Sequence, residues 1–424
     1  MTTVSDAAAR SRTAVRRAPL LARPLTSYYL VLGSALLLAG LGLVMVLSAS
    51  SVSSYRASGS SFAVFQKQLL WVVLGLPAMW LAVRIPVKLI RVLAWPLMLL
   101  SFVGLLLVFV PGIGAPPVSG ATRWIRLGSI TAQPSELAKL ALILWAADVY
   151  ARKEALLDDW RHILVPLLPV TAVLAALIMV EPDMGTTLVI LATAFALIWV
   201  VGAPGRIVAM IAGAGVSLVT LLAVIEPYRL ARLVGFGNPC AVATRLSEGY
   251  QGCQGLYAVG SGGWFGVGLG QSRQKWSGYL PNAHTDFIFA IVGEELGLVG
   301  TLFVLLLFAI LAYSGIRVAQ RSRDPFVRLA ATGITAAIAV QAMVNMATVT
   351  GLLPITGIPL PLISFGGSSL GVSLFAIGVL AAVARNEPGA REALAARGPT
   401  TAKRARRAVA SFYGFGPAPR RRRR

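Results

Sequence analysis

The chain has 424 residues, 57% of them hydrophobic and 13% charged, with a mean hydropathy of +0.76 and a formal net charge of +22. A water-soluble fold of this size could not cover so much apolar surface, so composition excludes a soluble globular domain and makes a bilayer the solvent. The basic excess does not argue for nucleic acid, because no folded reader module accompanies it.

Apolar runs occur at Tyr28–Leu47, Leu69–Val83, Ile90–Val110, Ser135–Tyr150, Ile163–Val180, Thr187–Val201, Ile207–Ile225, Phe287–Leu311, Phe326–Thr348 and Ser368–Val383. Each comes near the roughly 20 residues a helix needs to cross hydrocarbon. The expected fold is all-α, a polytopic integral membrane protein of about ten transmembrane helices. An Arg-rich segment precedes the first run, as in a signal peptide. Its apolar core exceeds the roughly 7–15 residues of a cleavable one, so it reads as a retained anchor.

Lys and Arg set the orientation. With both tails cytoplasmic, the short inner loops hold Arg84, Lys88, Arg91, Arg152, Lys153, Arg161, Arg206, Arg317, Arg321, Arg323 and Arg328. The short outer loops hold Arg56, Lys67, Arg123 and Arg126. The tails are basic as well, with Arg10, Arg12, Arg16, Arg17 and Arg23 in front and Arg420–Arg424 behind. The chain therefore reads as N-in and C-in. Its parts are a cytoplasmic tail over 1–27, a transmembrane domain over 28–385 and a basic cytoplasmic tail over 386–424. A large extracytoplasmic loop at 226–285 separates spans seven and eight. The Arg-, Ala-, Pro- and Gly-rich C-terminal tail is expected to be disordered. It is either a solvated topology signal or a ligand for anionic lipids, at about 1 kcal/mol per basic residue near the surface. Both cysteines, Cys240 and Cys253, fall in the outer loop, where a disulfide and two free thiols are the alternatives.

Polar residues gather on the outer side. Gly120-Ala121-Thr122-Arg123-Trp124-Ile125 and Gln133-Pro134-Ser135-Glu136 with Lys139 lie between spans three and four. Glu181-Pro182-Asp183-Met184-Gly185-Thr186 turns between spans five and six, and Glu226-Pro227 ends span seven. The long loop carries Ser261-Gly262-Gly263 to Gly270, Lys275 and His284-Thr285-Asp286; the last outer loop runs from Gly351 to Ser368 without a charge. The inner loops carry little beyond Lys and Arg. Chemistry on the outer face has no ATP or nucleotide-sugar to draw on, so it needs a substrate that brings its own activation across. Lipid-pyrophosphate-linked sugars meet that need.

Arg123, Arg126 and Lys139 at an outer rim run against the charge rule and suit phosphate oxygens. Trp124 fits an interfacial position. The alternative for Lys139 is an i,i+3 pair with Glu136. Asp286 at the lip of span eight reads as a helix cap, as a general base, or as both. Glu294 lies about 12 Å deeper along that helix and Glu295 points to nearly the opposite face; both read as interhelical ties. Glu181 and Asp183 read as turn or cap residues. The glycine run is neither a P-loop nor a dinucleotide fingerprint, and tight turns or close approach to a ligand explain it better. His162 is an inner-loop residue, and no Cys/His spacing suggests zinc.

Taken together, Arg123-Trp124-Ile125, Gln133-Pro134-Ser135-Glu136 with Lys139, Glu181 to Thr186, the 280–300 segment, and Gly357-Ile358-Pro359-Leu360-Pro361 with Ser364-Phe365-Gly366-Gly367-Ser368 resemble the SEDS family. That family comprises FtsW, RodA and a sporulation member. The resemblance covers about 28–385, with the motifs in the same order. Pro281 to Asp286 with Gly293 to Gly297 looks more like FtsW than RodA. The basic extension and the two cysteines are similar to actinobacterial members.

The resemblance implies a peptidoglycan glycosyltransferase that polymerises lipid II at the outer leaflet during cell division and releases undecaprenyl pyrophosphate. It also implies a class B penicillin-binding protein (a transpeptidase) and other divisome membrane proteins as partners, and the division septum as the location. Asp286 matches the family's outer-loop aspartate and becomes the expected general base. Arg123, Trp124, Glu136, Lys139, Lys275, His284 and Thr285, with Ser261 and Gly262, form the expected substrate-binding set. A divalent cation, Mg or Mn, is the one cofactor the chemistry admits, and no ligand set is assigned to it. The rival readings are a lipid II flippase and a non-catalytic divisome scaffold.

Overall fold

The computed structural model describes residues 25–116, 121–128, 130–225, 236–242, 244, 247, 249–276, 280–387 and 389–390. The N-terminal arginines, Gly120, Glu226-Pro227 and Arg420–Arg424 lie outside the described residues.

Every expected span is a helix. In chain order these are α1 (Thr26–Ser58), α2 (Ala63–Arg84), α3 (Val87–Leu107), α4 (Pro134–Arg152), α5 (Trp160–Val180), α6 (Met184–Val201) and α7 (Gly205–Ile225). After the long loop come α9 (Ile288–Arg321), α10 (Pro325–Val349) and α11 (Ser368–Ala384). Among the described residues, seven helices are long and apolar enough to cross a membrane: α1, α2, α3, α5, α6, α9 and α10. The polytopic all-α class therefore stands. In α4, Glu136, Lys139, Asp148 and Arg152 break the apolar run, and α11 has 17 residues.

Local chemistry sets the helix ends. Asp183 caps α6 through the Thr186 amide at 3.0 Å, and Asp324 caps α10 through Phe326 at 2.9 Å, ahead of Pro325 in the first turn. α1 closes on Gly59 in the left-handed conformation.

Three features go beyond the apolar pattern. Helices α1 and α9 outrun their apolar stretches, to Ser58 and Arg321. A hairpin, β1 (Ile125–Leu127) with β2 (Ile130–Ala132), precedes α4. The outer loop contains a further helix, α8 (Tyr250–Ser261), packed on α9 and α10. Its Cys253 is bonded to Cys240, which closes the sequence alternative in favour of the disulfide.

The core centres on α4, which packs against α3, α5, α6, α10 and α11 and is buried along nearly its whole length. Contacts between helix termini sort the bundle into two faces. On one, Arg91 of α3 and Arg152 of α4 converge on the buried Asp148, Arg385 after α11 donates to the Val83 carbonyl of α2, and Arg321 pairs with Glu387. The other face gathers the start of α4, the α5–α6 turn, the start of α9, the end of α10 and the segment leading into α11.

Candidate active site

The segment between Ile355 and Ser368 holds this second face together. It has no charge, but its carbonyls and hydroxyls meet polar residues from four other elements. Asn345 on α10 donates through Nδ2 to the carbonyls of Asp286 and Ile358, both at 2.7 Å. One turn away, Gln341 donates to the Pro359 carbonyl at 3.0 Å and accepts from Lys139 Nζ at 2.7 Å. Ser364 Oγ donates to the Thr285 carbonyl at 2.6 Å and accepts from the Leu360 amide. Gln68 of α2 reaches the Ser364 carbonyl, and Ser368 Oγ accepts from the Gln133 amide at 2.9 Å. Residues up to 296 positions apart in sequence thus meet in one constellation.

Asp286 sits half-buried at the head of α9. The cap position belongs to Phe287, which makes no side-chain cap bond, so Asp286 lies one residue outside the helix. Its Oδ2 faces Gly357: a Cβ there would lie 3.7 Å from it. The imidazole of His284 stacks at a tilt on Phe365, with ring centroids 5.7 Å apart. Burial pushes its pKa below the usual histidine range, so the ring is neutral at physiological pH.

Lys139 and Glu136 form the i,i+3 ion pair at 2.9 Å, with both side chains buried. They line a cavity of about 40 Å³ together with Gln341, Pro361 and Ser373. That space accommodates water but no sugar or isoprenoid unit. Arg123 clamps the α5–α6 turn: Nε donates to the Glu181 carbonyl at 3.2 Å and Nη2 to the Pro182 carbonyl at 2.6 Å. Trp124 is half-buried beside it, one residue before β1. The Glu181 carboxylate is buried, and neither oxygen has a hydrogen-bond partner among the described residues. Its pKa is pushed up to about 8, chiefly by burial and further by Asp183, against a smaller opposing pull from Arg123. The acid is therefore largely neutral at pH 7. Asp183 is a cap residue, as its place in the turn suggested, and also accepts from Gln133 Nε2 at 3.2 Å.

The structure changes the reading of the glycine run. Helix α9 is broken at Gly297, where φ is 66° and ψ −162°. The carbonyls of Glu294 and Glu295 accept instead from the amides of Val267 and Gly268, at 2.9 and 3.1 Å. The amides of Leu298 and Val299 donate to Gly263 and Trp264. A Cβ at Gly262 would lie 1.9 Å from the Gly293 carbonyl oxygen, and one at Gly266 2.2 Å from that of Glu295. The glycines serve close approach to α9, not to a ligand, because only backbone without side chains fits this splice. Gly262 is thereby buried against α9, and Ser261 Oγ donates within its own helix to Ala258.

Glu294 and Glu295 tie this loop down. Glu294 accepts from Ser272 Oγ and the Arg273 amide, and Glu295 from the Ser272 amide. The expected interhelical tie holds for Glu295, which also accepts from Ser48 of α1 at 2.6 Å. Lys275 is turned inward, 3.4 Å from Glu295 and bonded to the Gly270 carbonyl, rather than displayed toward solvent.

Gln341, Asn345 and Gln68 do not stand out in the sequence, and Ser364 stands out there only as part of a motif. The signal for the first pair was present: two amide side chains four residues apart, on one face of an apolar span.

A family profile described as "Cell cycle protein" and labelled FTSW_RODA_SPOVE matches residues 28–388. The probable peptidoglycan glycosyltransferase FtsW of Mycobacterium tuberculosis is 44% identical over 376 residues, covering 89% of this chain and 71% of that protein. Stage V sporulation protein E of Bacillus subtilis is 41% identical over 350 residues, or 82% of this chain and 94% of its own. Among solved structures, a peptidoglycan synthase complex that coordinates polymerization and crosslinking contains a chain with a TM-score of 0.68 at 27% identity, covering 84% of this chain and 97% of that one. The rod shape determining protein RodA of Thermus thermophilus gives 0.61 at 26% identity, covering 85% and 97%.

Proposed function

The chain belongs to the FtsW, RodA and SpoVE family of cell cycle proteins, and from that premise we propose that it is a peptidoglycan glycosyltransferase that polymerises lipid II at the outer leaflet, with Asp286 as general base. The observation that carries this reading is the convergence of Asp286, the Lys139–Glu136 pair and the Arg123-clamped turn on one face, through the uncharged 355–368 segment.

In the reaction, the 4-hydroxyl of a lipid II sugar attacks the anomeric carbon of the lipid-linked glycan chain. Asp286 takes the hydroxyl proton, a step typically contributing about 10²–10⁴-fold. The configuration inverts as undecaprenyl pyrophosphate departs. Arg123, partly exposed at the rim, answers the charge that develops on the pyrophosphate, with Trp124 and Thr285 at the same rim, while the buried Lys139–Glu136 pair supports that face from within. Neutral His284 offers one nitrogen as acceptor and one as donor to a sugar. Should a divalent cation take part, the substrate's phosphates would help to hold it. Among the described residues no three His, Cys, Asp or Glu groups converge, and Mg²⁺ is commonly held by one or two carboxylates plus substrate phosphates. Such an ion would neutralise leaving-group charge.

The orientation that follows is N-in and C-in, with the Asp286 face toward the wall and the septum as the working location. A class B penicillin-binding protein is the partner.

The test is lipid II polymerisation by the purified chain, with and without its cognate transpeptidase. Asp286→Asn should abolish polymer while helicity and partner binding are retained. Wild-type-like glycan from that variant removes Asp286 as the base, and lipid II flipping without polymerisation overturns the enzyme reading.

A further inference from the structure

The loop between α8 and α9 contains a segment unsuited to wall-side water. From Tyr250 to Ser272 there is no charged residue. Its tip presents Trp264, 69% exposed, and Phe265, 83% exposed, with Val267 and Leu269 also exposed. The tip is held on the broken turn of α9 by the four backbone hydrogen bonds that splice the loop into the helix.

That attachment fixes its depth. Above the break, α9 is enclosed by protein: Ile288 to Glu295 are all buried. Below it, Leu298, Val299, Leu302, Phe303, Leu306 and Ile316 form an exposed apolar face. From 298 to 316 that face is about 27 Å long at 1.5 Å per residue, close to the roughly 30 Å of bilayer hydrocarbon. The break thus marks the outer edge of the lipid-facing band, and the Trp264–Leu269 tip continues that band upward. The backbone suits such a place. The amides of Val267 and Gly268 and the carbonyls of Gly263 and Trp264, which lipid would leave unsatisfied, are paired with α9. Trp at this level matches the aromatic belt of membrane interfaces, and Arg273 and Trp276 follow just outside, both exposed.

We propose that residues 264–269 form a re-entrant interfacial anchor seated in the outer leaflet, in contact with phospholipid at the boundary between headgroups and acyl chains. The anchor joins the bilayer directly to the helix that begins beside Asp286.

The test uses the full-length chain in phospholipid vesicles. Because the native cysteines pair with each other, Phe265→Cys supplies one site for an environment-sensitive fluorophore. Leu352→Cys, at a position 73% exposed in the loop after α10, is the water-facing control. The label at 265 should emit further to the blue, be quenched by lipids carrying a nitroxide high on the acyl chain, and be several-fold less quenched by iodide than the label at 352. Leu269→Cys repeats the measurement should the first variant fold poorly. Equal iodide access at 265 and 352 overturns the proposal, and so does a label shielded from iodide but indifferent to nitroxide lipids, which would mean burial against protein.

Discussion

Asn345 offers a sharp test of how the Asp286 face is held. Its side chain is buried, and its one amide nitrogen serves two carbonyls, those of Asp286 and Ile358, each at 2.7 Å. Asn345→Leu keeps the volume approximately and removes the donor. A carbonyl left unsatisfied in a buried place costs about 1–3 kcal/mol. Two of them give about 2–6 kcal/mol, and because Asp286 is half-buried and can recruit water, about 2–4 kcal/mol is expected. For a chain this long that lowers the melting temperature by about 2–5 °C. The catalytic effect should exceed the stability effect. With its carbonyl released, the Asp286 backbone can move, and a displacement of about 1 Å costs on the order of 100-fold in rate. Thermal unfolding in detergent gives the first quantity, and lipid II polymerisation below the melting range gives the second. A variant that melts and polymerises like the wild type would refute the positioning role of Asn345 and the keystone role of the 355–368 segment.

The buried pair on α4 predicts strong coupling. Lys139→Met alone leaves Glu136 without its counter-charge and should cost about 3–5 kcal/mol, whereas Glu136→Gln with Lys139→Met should recover most of that stability but little polymerisation; equal melting of the single and double variants contradicts a coupled ion pair. Glu181 predicts a pH signature. Its pKa rises from 4.5 to about 8 on folding, so the folded state binds the extra proton, and stability falls as pH rises between those values and levels off above them. Glu181→Gln should therefore melt higher than the wild type by a margin that widens from pH 5 to pH 9, on the order of a few kcal/mol; a margin independent of pH would rule out a neutral buried acid.

The spans were legible because hydrocarbon demands long apolar runs and tolerates few exceptions. The places where the pattern misled are those where protein, not lipid, surrounds the chain. Helix α8 was hidden because Gln251, Gly252, Gln254 and Gly255 read as loop, and its helicity rests on packing against α9 and α10. The break at Gly297 was hidden inside an unbroken apolar stretch, since the pairing of its freed backbone groups depends on a loop 30 residues upstream. Asp286, Arg123 and Lys139 stood out as charges in the wrong solvent. Gln341 and Asn345 did not, because uncharged amides in a span look like ordinary helix glue until their partners are seen.

Helix α4 carries a consequence for how the protein is made. With Glu136 and Lys139 in its first two turns and Asp148 and Arg152 in its last two, it meets an insertion cost if it enters lipid alone, below the roughly 2.5–3.5 kcal/mol of a charge at a helix centre but repeated four times. Lys139 is matched partly by Gln341, which lies 202 residues later in the chain. At roughly 5–20 residues per second of synthesis, that is a delay of about 10–40 s. During that interval α4 must be sheltered by the insertion machinery or by α3 and Arg91, already in place to meet Asp148. The biogenesis of this bundle is therefore not a series of independent insertions, and its most vulnerable moment falls between the emergence of α4 and the arrival of α10.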